Sequence, residues 1–276
     1  MSPEEQSPQP GISAEGFDPD EYWEGMHVRN RGFEAVGFGG LGVGFNSWMY
    51  RVRRRVLRRA LRRAAVMAEG ASVLDVGAGT GFYVREWLKL GAASVTGSDL
   101  SAAAVDTLRS ELPAAEFVRE DIAETSRPTS GRQYDLVSAF DVLFHIVDDA
   151  RFLRAIQNLA DLTRPGGHFL LSDNFLHGPA LRARHQVSRS LEEIDGALEA
   201  AGFERVVRLP MFFLMNKPVD SQSRALHVLW RVISRVCRRS HRAGTALGAV
   251  LFLPELLLTA VAREGPTTEL VVCRRR

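Results

Sequence analysis

The residues best suited to chemistry lie in VLDVGAGTGFYV, where an apolar run turns through Gly77, Gly79 and Gly81 into a helical pattern. Glycines so placed let a ligand approach the backbone closely, where amides point outward from a helix N-terminus. The spacing is GxGxG, because Phe82 stands where a dinucleotide fingerprint needs its last glycine. Asp99 follows Gly77 by 22 residues at the end of a second apolar run, where a carboxylate can accept both hydroxyls of a ribose. Asp121 in FVREDIAE follows a third run, and Asp135 opens a fourth, YDLVSAFDVLFHI. Taken singly, Asp75 and Asp135 also suit strand-end caps and the glycines a tight turn. Jointly with Asp99 and Asp121 they converge on one binding site.

These positions need a scaffold of short apolar runs alternating with helical stretches, which is the order of a parallel sheet with crossover helices. Strands are expected at 72–76, 94–98, 116–119, 134–139 and 168–172, and helices at 80–90, 101–111 and 149–163, the last stopped by Pro165, Gly166 and Gly167. Another helix starts at a capping-box pattern, Ser190 followed three residues later by Glu193, and ends at Gly202. Strand-like runs RVVRLPMFFLM and TELVV follow, separated by an insertion at about 218–262.

The ordered set VLDVGAGTG, SDLS, REDI, YDLVSAFDVLFHI and RPGGHFLLSD resembles the class I S-adenosylmethionine-dependent methyltransferases, over about residues 70–205. The resemblance implies an α/β fold: a Rossmann-like seven-stranded, mostly parallel sheet with an antiparallel last strand and helices on both faces. It implies S-adenosyl-L-methionine as cofactor, with Asp75, Gly77, Gly79 and Gly81 forming the loop under its methionine part. Asp99 would then hold the ribose and Leu100 pack on the adenine. Asp121 with Ile122 would bracket the adenine edge, and Phe140 with Asp141 close the methionine side.

Three residues are candidates for acid–base work on an acceptor. His145 sits just past the fourth strand; Asp173 and His177 follow the fifth, at the end of the sheet where ligands bind. Each histidine also suits a purely structural place, and methyl transfer can proceed by positioning alone. No metal site is indicated.

The remaining segments should build the acceptor site. Residues 1–20 are acidic and Pro-rich without an apolar h-region, and read as a loose tail rather than a secretion signal. Residues 21–69 read as an N-terminal helical cap: a helix at 21–31, a hinge or lid with five glycines within Gly37–Gly44, and a basic amphipathic helix at 46–68 capped by Asn46 or Ser47. Phe33, Phe38, Phe45, Trp48 and Tyr50 are candidates for an apolar lining, and the glycine loop for an anion site. Residues 70–276 would be the core with its insertion. Within that insertion AGTALGAVLFLPELLLTAVA is twenty residues long with Glu255 its one charge. Its length permits a membrane span, but a carboxylate and Pro254 at the centre argue for a helix pair covering the active site, with membrane-surface association or a homodimer contact as the alternatives.

The net charge of +2 is a cancellation. Residues 45–70 carry eight arginines against Glu69, and residues 218–276 carry ten basic against four acidic side chains, so the middle is acidic. Of 35 basic residues only Lys89 and Lys217 are lysines. A hydrophobic fraction of 45% excludes wholesale disorder and a multi-span membrane protein. Cys237 and Cys273 have no pairing pattern, which fits a reducing cytoplasm. The expected activity is methyl transfer to an apolar or amphipathic small molecule. RNA or another polyanion held by the basic helix at 51–63 is the alternative acceptor, and a membrane-associated protein on the same fold the alternative class.

Overall fold

The apolar runs become strands β1 Ser72–Val76, β2 Ser94–Asp99, β3 Glu116–Arg119, β4 Tyr134–Phe140 and β5 Thr163–Asp173 in a computed structural model that describes residues 18–29 and 39–276. With β8 (Phe203–Pro210) and β9 (Glu269–Arg275) they form a seven-stranded sheet in the order β3-β2-β1-β4-β5-β9-β8. Strands β3 to β5 pair parallel, while β9 runs antiparallel to both β5 and β8. This is the expected Rossmann-like sheet. Its central strands are buried almost throughout because helices cover both faces: α2 (Gly42–Arg63), α3 (Phe82–Lys89) and α4 (Ala102–Glu111) on one, α5 (Asp149–Leu162) and α6 (Leu191–Ala200) on the other. Ser101, Asp148 and Ser190 cap α4, α5 and α6, the last with the full Ser190–Glu193 capping box.

Several boundaries differ from expectation, each for a tertiary reason. Helix α1 spans Pro19–Arg29; Phe33, Phe38 and the start of the glycine stretch lie outside the described residues. Helix α2 begins at Gly42, so Asn46 and Ser47 are interior rather than capping, with side chains donating to the carbonyls of Gly42 and Gly44. Strand β5 begins at Thr163, and a register shift against β4 absorbs Arg164–Gly167. A small hairpin, β6 (Leu181–Ala183) with β7 (Gln186–Ser188), was not anticipated, since LRARHQVS shows no clear alternation.

The insertion forms α7 (Arg224–Arg239) and α8 (His241–Val261), joined at Ser240, whose side chain caps α8. Helix α8 lies alongside α2 and runs parallel to it. Gly44 and Gly248 make this possible: a Cβ on Gly44 would lie 1.8 Å from Thr245 Oγ1, and one on Gly248 2.6 Å from Trp48 Cδ1. Gly44, expected in a hinge or lid, and Gly248 are thus close-packing positions between the two helices. Glu255, fully buried, accepts hydrogen bonds from the amides of Phe213 (2.6 Å) and Leu214 (2.7 Å). That interaction draws Met211–Met215 out of the sheet, so the strand expected to run through Met215 ends at Pro210. It also explains a carboxylate in an apolar segment: Glu255 satisfies loop backbone that would otherwise be buried unpaired.

Candidate active site

A cavity of about 600 Å³ opens at the carboxyl ends of β1 to β4, beneath α1 and beside the first half of α2. Its floor is the turn Gly77–Thr80. Gly77, Gly79 and Gly81 have φ of +70°, +53° and +72°, a region that glycine enters without strain. A Cβ on Gly77 would stand 2.3 Å from Val142 Cγ2. Asp99 fastens this turn: Oδ2 accepts from Gly79 N (2.8 Å) and Oδ1 from Ser101 N (3.0 Å). Leu100, Asp121, Ile122, Phe140 and Asp141 also line the cavity. Asp121 is held by an ion pair with Arg151 and by Ala123 N at 2.8 Å.

Two expected binding residues lie behind the wall instead. Asp75 is buried beneath the turn, where Ser138 Oγ donates to Oδ1 at 2.6 Å and Trp87 Nε1 donates to Ser138 Oγ at 3.1 Å. Burial pushes its carboxyl up to about 7. Gly81 caps α3 and packs against Leu108, so it shapes the turn without facing the cavity.

The side of the cavity lined by Phe140 and Asp141 also contains a residue that no local sequence pattern marks. Arg53, on α2, is buried, lines the cavity and pairs with Asp141 (Nη2 to Oδ2, 2.5 Å). Burial alone would lower the guanidinium's pKa; the adjacent carboxylate outweighs it and holds the group above its ordinary value. Asp141 has φ +59°, unusual for a non-glycine, and is fixed there by Ser172: its amide donates to the Ser172 carbonyl at 3.2 Å, and Ser172 Oγ donates to Oδ1 at 2.6 Å. Tyr83 stacks on Phe140 with centroids 4.0 Å apart. Arg53 was hidden among eight arginines; only its place on the inner face of α2 distinguishes it.

The far wall is aromatic. Tyr22, Trp23 and Met26 come from α1, Phe144 and His145 from the turn after β4, and His185 from the β6–β7 turn. Helix α1 is tied down by Glu24, whose carboxylate accepts from Ser101 Oγ (2.8 Å) and Ala103 N (3.2 Å) at the start of α4, and by Asp20 with Arg119 at 3.0 Å. Trp23 packs edge-on against His145 with centroids 4.7 Å apart. His145 Nδ1 lies 3.0 Å from the His185 carbonyl, which can only accept, so Nδ1 carries the proton and Nε2 holds a lone pair. Burial lowers the His145 pKa to about 4 and keeps it neutral.

The other two acid–base candidates do not reach the cavity. Asp173 is buried as the last residue of β5, paired with Glu269 of β9 and accepting from Asn174 N at 2.6 Å, with its carboxyl pushed up to about 8 by burial. His177 is exposed, with Nδ1 2.5 Å from Asp220 Oδ2 and Nε2 3.3 Å from Glu264. The reason is β9: it pairs with β5, and Thr268 Oγ1 donates to Asn174 Oδ1, which draws the segment after β5 toward β9. The insertion does not cover the cavity either, since no residue of 218–262 lines it. Phe45 is fully buried in the core and Trp48 packs on Phe252, leaving Tyr50 as the lining residue among the described aromatics expected there. Arg51, Arg55 and Arg62 of the basic helix likewise stand outside the wall.

Residues 73–167 match the family described as Methyltransferase domain. The ubiquinone biosynthesis O-methyltransferase of Alkalilimnicola ehrlichii is 32% identical over 111 residues, covering 38% of this chain and 42% of that one. The ribosomal protein L11 methyltransferase of an Exiguobacterium species is 33% identical over 142 residues, covering 49% and 38%. The chain thus spans about two fifths of the length of these curated relatives. Among solved structures, the 1,6-didemethyltoxoflavin-N1-methyltransferase of Burkholderia thailandensis superposes with a TM-score of 0.54 at 18% identity, over 98% of this chain and 94% of that one. The [4+2]-cyclase SpnF superposes at 0.52 and 18% identity, over 80% of each chain. Residues 73–167 thus match a methyltransferase domain, set in a chain that shares its overall fold with these solved structures.

Proposed function

We propose that this protein transfers a methyl group from S-adenosylmethionine to an apolar or amphipathic small molecule. The observation that carries this reading is a single cavity with two unlike ends: the glycine turn with Asp99, Asp121 and Ile122 at one, and the aromatic wall of Tyr22, Trp23, Phe144 and His145 at the other. The cofactor fits the first end: Gly77 and Gly79 bring backbone without a Cβ to the cavity floor, and Asp99 lines the cavity while still able to accept further hydrogen bonds.

S-adenosylmethionine supplies an electrophilic methyl group on a sulfonium. The chain's part is to orient and to exclude water. Asp99 would hold the ribose hydroxyls, and Leu100 and Ile122 would pack against the adenine. Helix α1 covers the acceptor end, and His145, neutral with its Nε2 lone pair available, would accept the proton of an acceptor O–H or N–H. Relatives named for ubiquinone biosynthesis support an acceptor of this kind.

Calorimetry tests the cofactor half: S-adenosylmethionine and S-adenosylhomocysteine should bind, and Asp99→Ala should weaken binding by about tenfold or more through lost charge-assisted hydrogen bonds. Absence of binding would overturn the reading. Transfer of labelled methyl to a panel of apolar phenols, amines and quinols tests the acceptor half, which fails if RNA alone becomes labelled.

A further inference from the structure

Helix α8 is long and apolar enough to cross a membrane, yet one of its faces packs on the protein and the other is bare. At 100° per residue, Gly244, Gly248, Glu255 and Thr259 point inward and are buried. On the opposite side Val250, Leu253, Leu257 and Val261 are 72%, 71%, 63% and 68% exposed, at spacings of three, four and four. They form one continuous aliphatic stripe. Single exposed aliphatics are ordinary; a stripe of this kind along a helix marks an interaction surface.

The border of the stripe is basic. Arg242 stands on the same outer side in the first turn of α8, and Arg263 follows its end. Helix α2 lies alongside, with Arg59 and Arg63 donating to the carbonyls of Leu256 and Ala260. Arg51, Arg55 and Arg62 of α2 are exposed next to them. Among the described residues none of Arg51, Arg55, Arg62, Arg242 and Arg263 is paired with a carboxylate. Helices α2, α7 and α8 together contain one acidic residue, Glu255, and it is buried against loop amides. The outer surface of these three helices therefore carries positive charge with no internal compensation.

We propose that this face docks the protein on an anionic lipid bilayer, with α8 lying in the interface plane. Such a helix sinks its aliphatic side among acyl chains while arginines meet lipid phosphates. Charge complementarity selects this occupant. A second copy on the same face would oppose two arginine borders, and nucleic acid would find an aliphatic stripe where stacking rings are needed. Spanning the bilayer would require α8 to leave α2 and to take Glu255 with it. The proposal rests on this surface and is independent of what the cavity binds. It has a spatial consequence: α2 turns Asn46, Met49 and Arg53 to the cavity and a neighbouring face to α8, so the cavity lies about one helix diameter, ~10 Å, from the docking helix.

Flotation of the full chain with vesicles tests the proposal. The protein should float with phosphatidylcholine–phosphatidylglycerol vesicles and much less with phosphatidylcholine alone, and salt should release it. Leu253→Gln with Leu257→Gln should reduce partitioning about tenfold, and Arg55→Gln with Arg62→Gln should abolish the preference for phosphatidylglycerol. The melting temperature and S-adenosylhomocysteine binding of both variants should match the parent, which separates lost docking from lost folding. Failure of the parent to float with anionic vesicles, or equal flotation by the leucine variant, overturns the proposal. So does a parent dimer that the leucine variant converts to monomer in light scattering, which would make the occupant a second copy. Retardation of RNA at physiological salt without flotation would overturn it as well.

Discussion

Arg53 Nη2 lies 2.5 Å from Asp141 Oδ2, joining α2 to the one described residue of the cavity wall, apart from glycine, whose φ is positive. The pair is largely withdrawn from water, with Arg53 9% and Asp141 27% exposed at the side chain. Removing the arginine alone strands a carboxylate. Arg53→Met should therefore cost about 2–4 kcal/mol, toward the lower side for a buried pair because Asp141 keeps some solvent. Adding Asp141→Asn should recover part of it. Urea unfolding of the two singles and the double measures the coupling, and additive losses would refute it. At the same site Asp141→Gly should be less damaging than Asp141→Ala by about 1 kcal/mol, since only glycine takes that backbone without strain.

His145 makes a pH prediction. Its folded pKa, about 4, lies below the unfolded value near 6.5. The unfolded state therefore binds the proton first, so the histidine's contribution to stability is present above about pH 6.5 and is lost as pH falls toward 4. His145→Gln should flatten the dependence of the urea midpoint across that window. In the parent, the acid limb of the rate profile attributable to this residue should fall near pH 4; a limb near 6.5 that disappears in His145→Gln would contradict the buried, neutral imidazole.

Glu24 tests the attachment of α1. Its carboxylate accepts from Ser101 Oγ and Ala103 N at the start of α4, which holds its pKa below the usual range. Glu24→Ala should cost at most about 1 kcal/mol in global stability. Ligand affinity should fall more, because α1 contributes wall rather than core: several-fold weaker S-adenosylhomocysteine binding, with proteolysis at α1 accelerated. A variant with unchanged affinity would show that α1 does not close the cavity.

Gly248→Ala sets packing against propensity. Alanine is the better helix former by about 1 kcal/mol, but its Cβ would meet Trp48 Cδ1 at 2.6 Å. Overpacking should win, with a net loss of about 1–2 kcal/mol in thermal or urea unfolding. A stabilised variant would mean that α8 does not seat on α2 as described.

The core was legible because its signals are local. Alternating short apolar runs, the GxGxG turn and the Ser190 capping box each concern residues a few positions apart, and strands and helices formed close to where those patterns lie. Asp99, Leu100, Asp121, Ile122, Phe140 and Asp141 all reached one cavity because they follow successive parallel strands, whose carboxyl ends meet by construction. His145 arrived by the same rule. Asp173 and His177 obeyed it in sequence but not in space, since β9 had claimed the segment after β5.

What remained hidden depended on partners far along the chain. The sheet, the glycine turn and the uneven charge were readable from local sequence, because propensity, hydrophobic period and composition act over short spans. Only the tertiary structure decided which of eight arginines is buried, that Gly44 and Gly248 serve helix contact, and that the apolar insertion lies along α2 instead of roofing the cavity. The physical reason is that burying Arg53 is tolerable only opposite Asp141, and burying Glu255 only against the Phe213 and Leu214 amides. Those pairings span 88 and about 40 residues, and no local pattern encodes them.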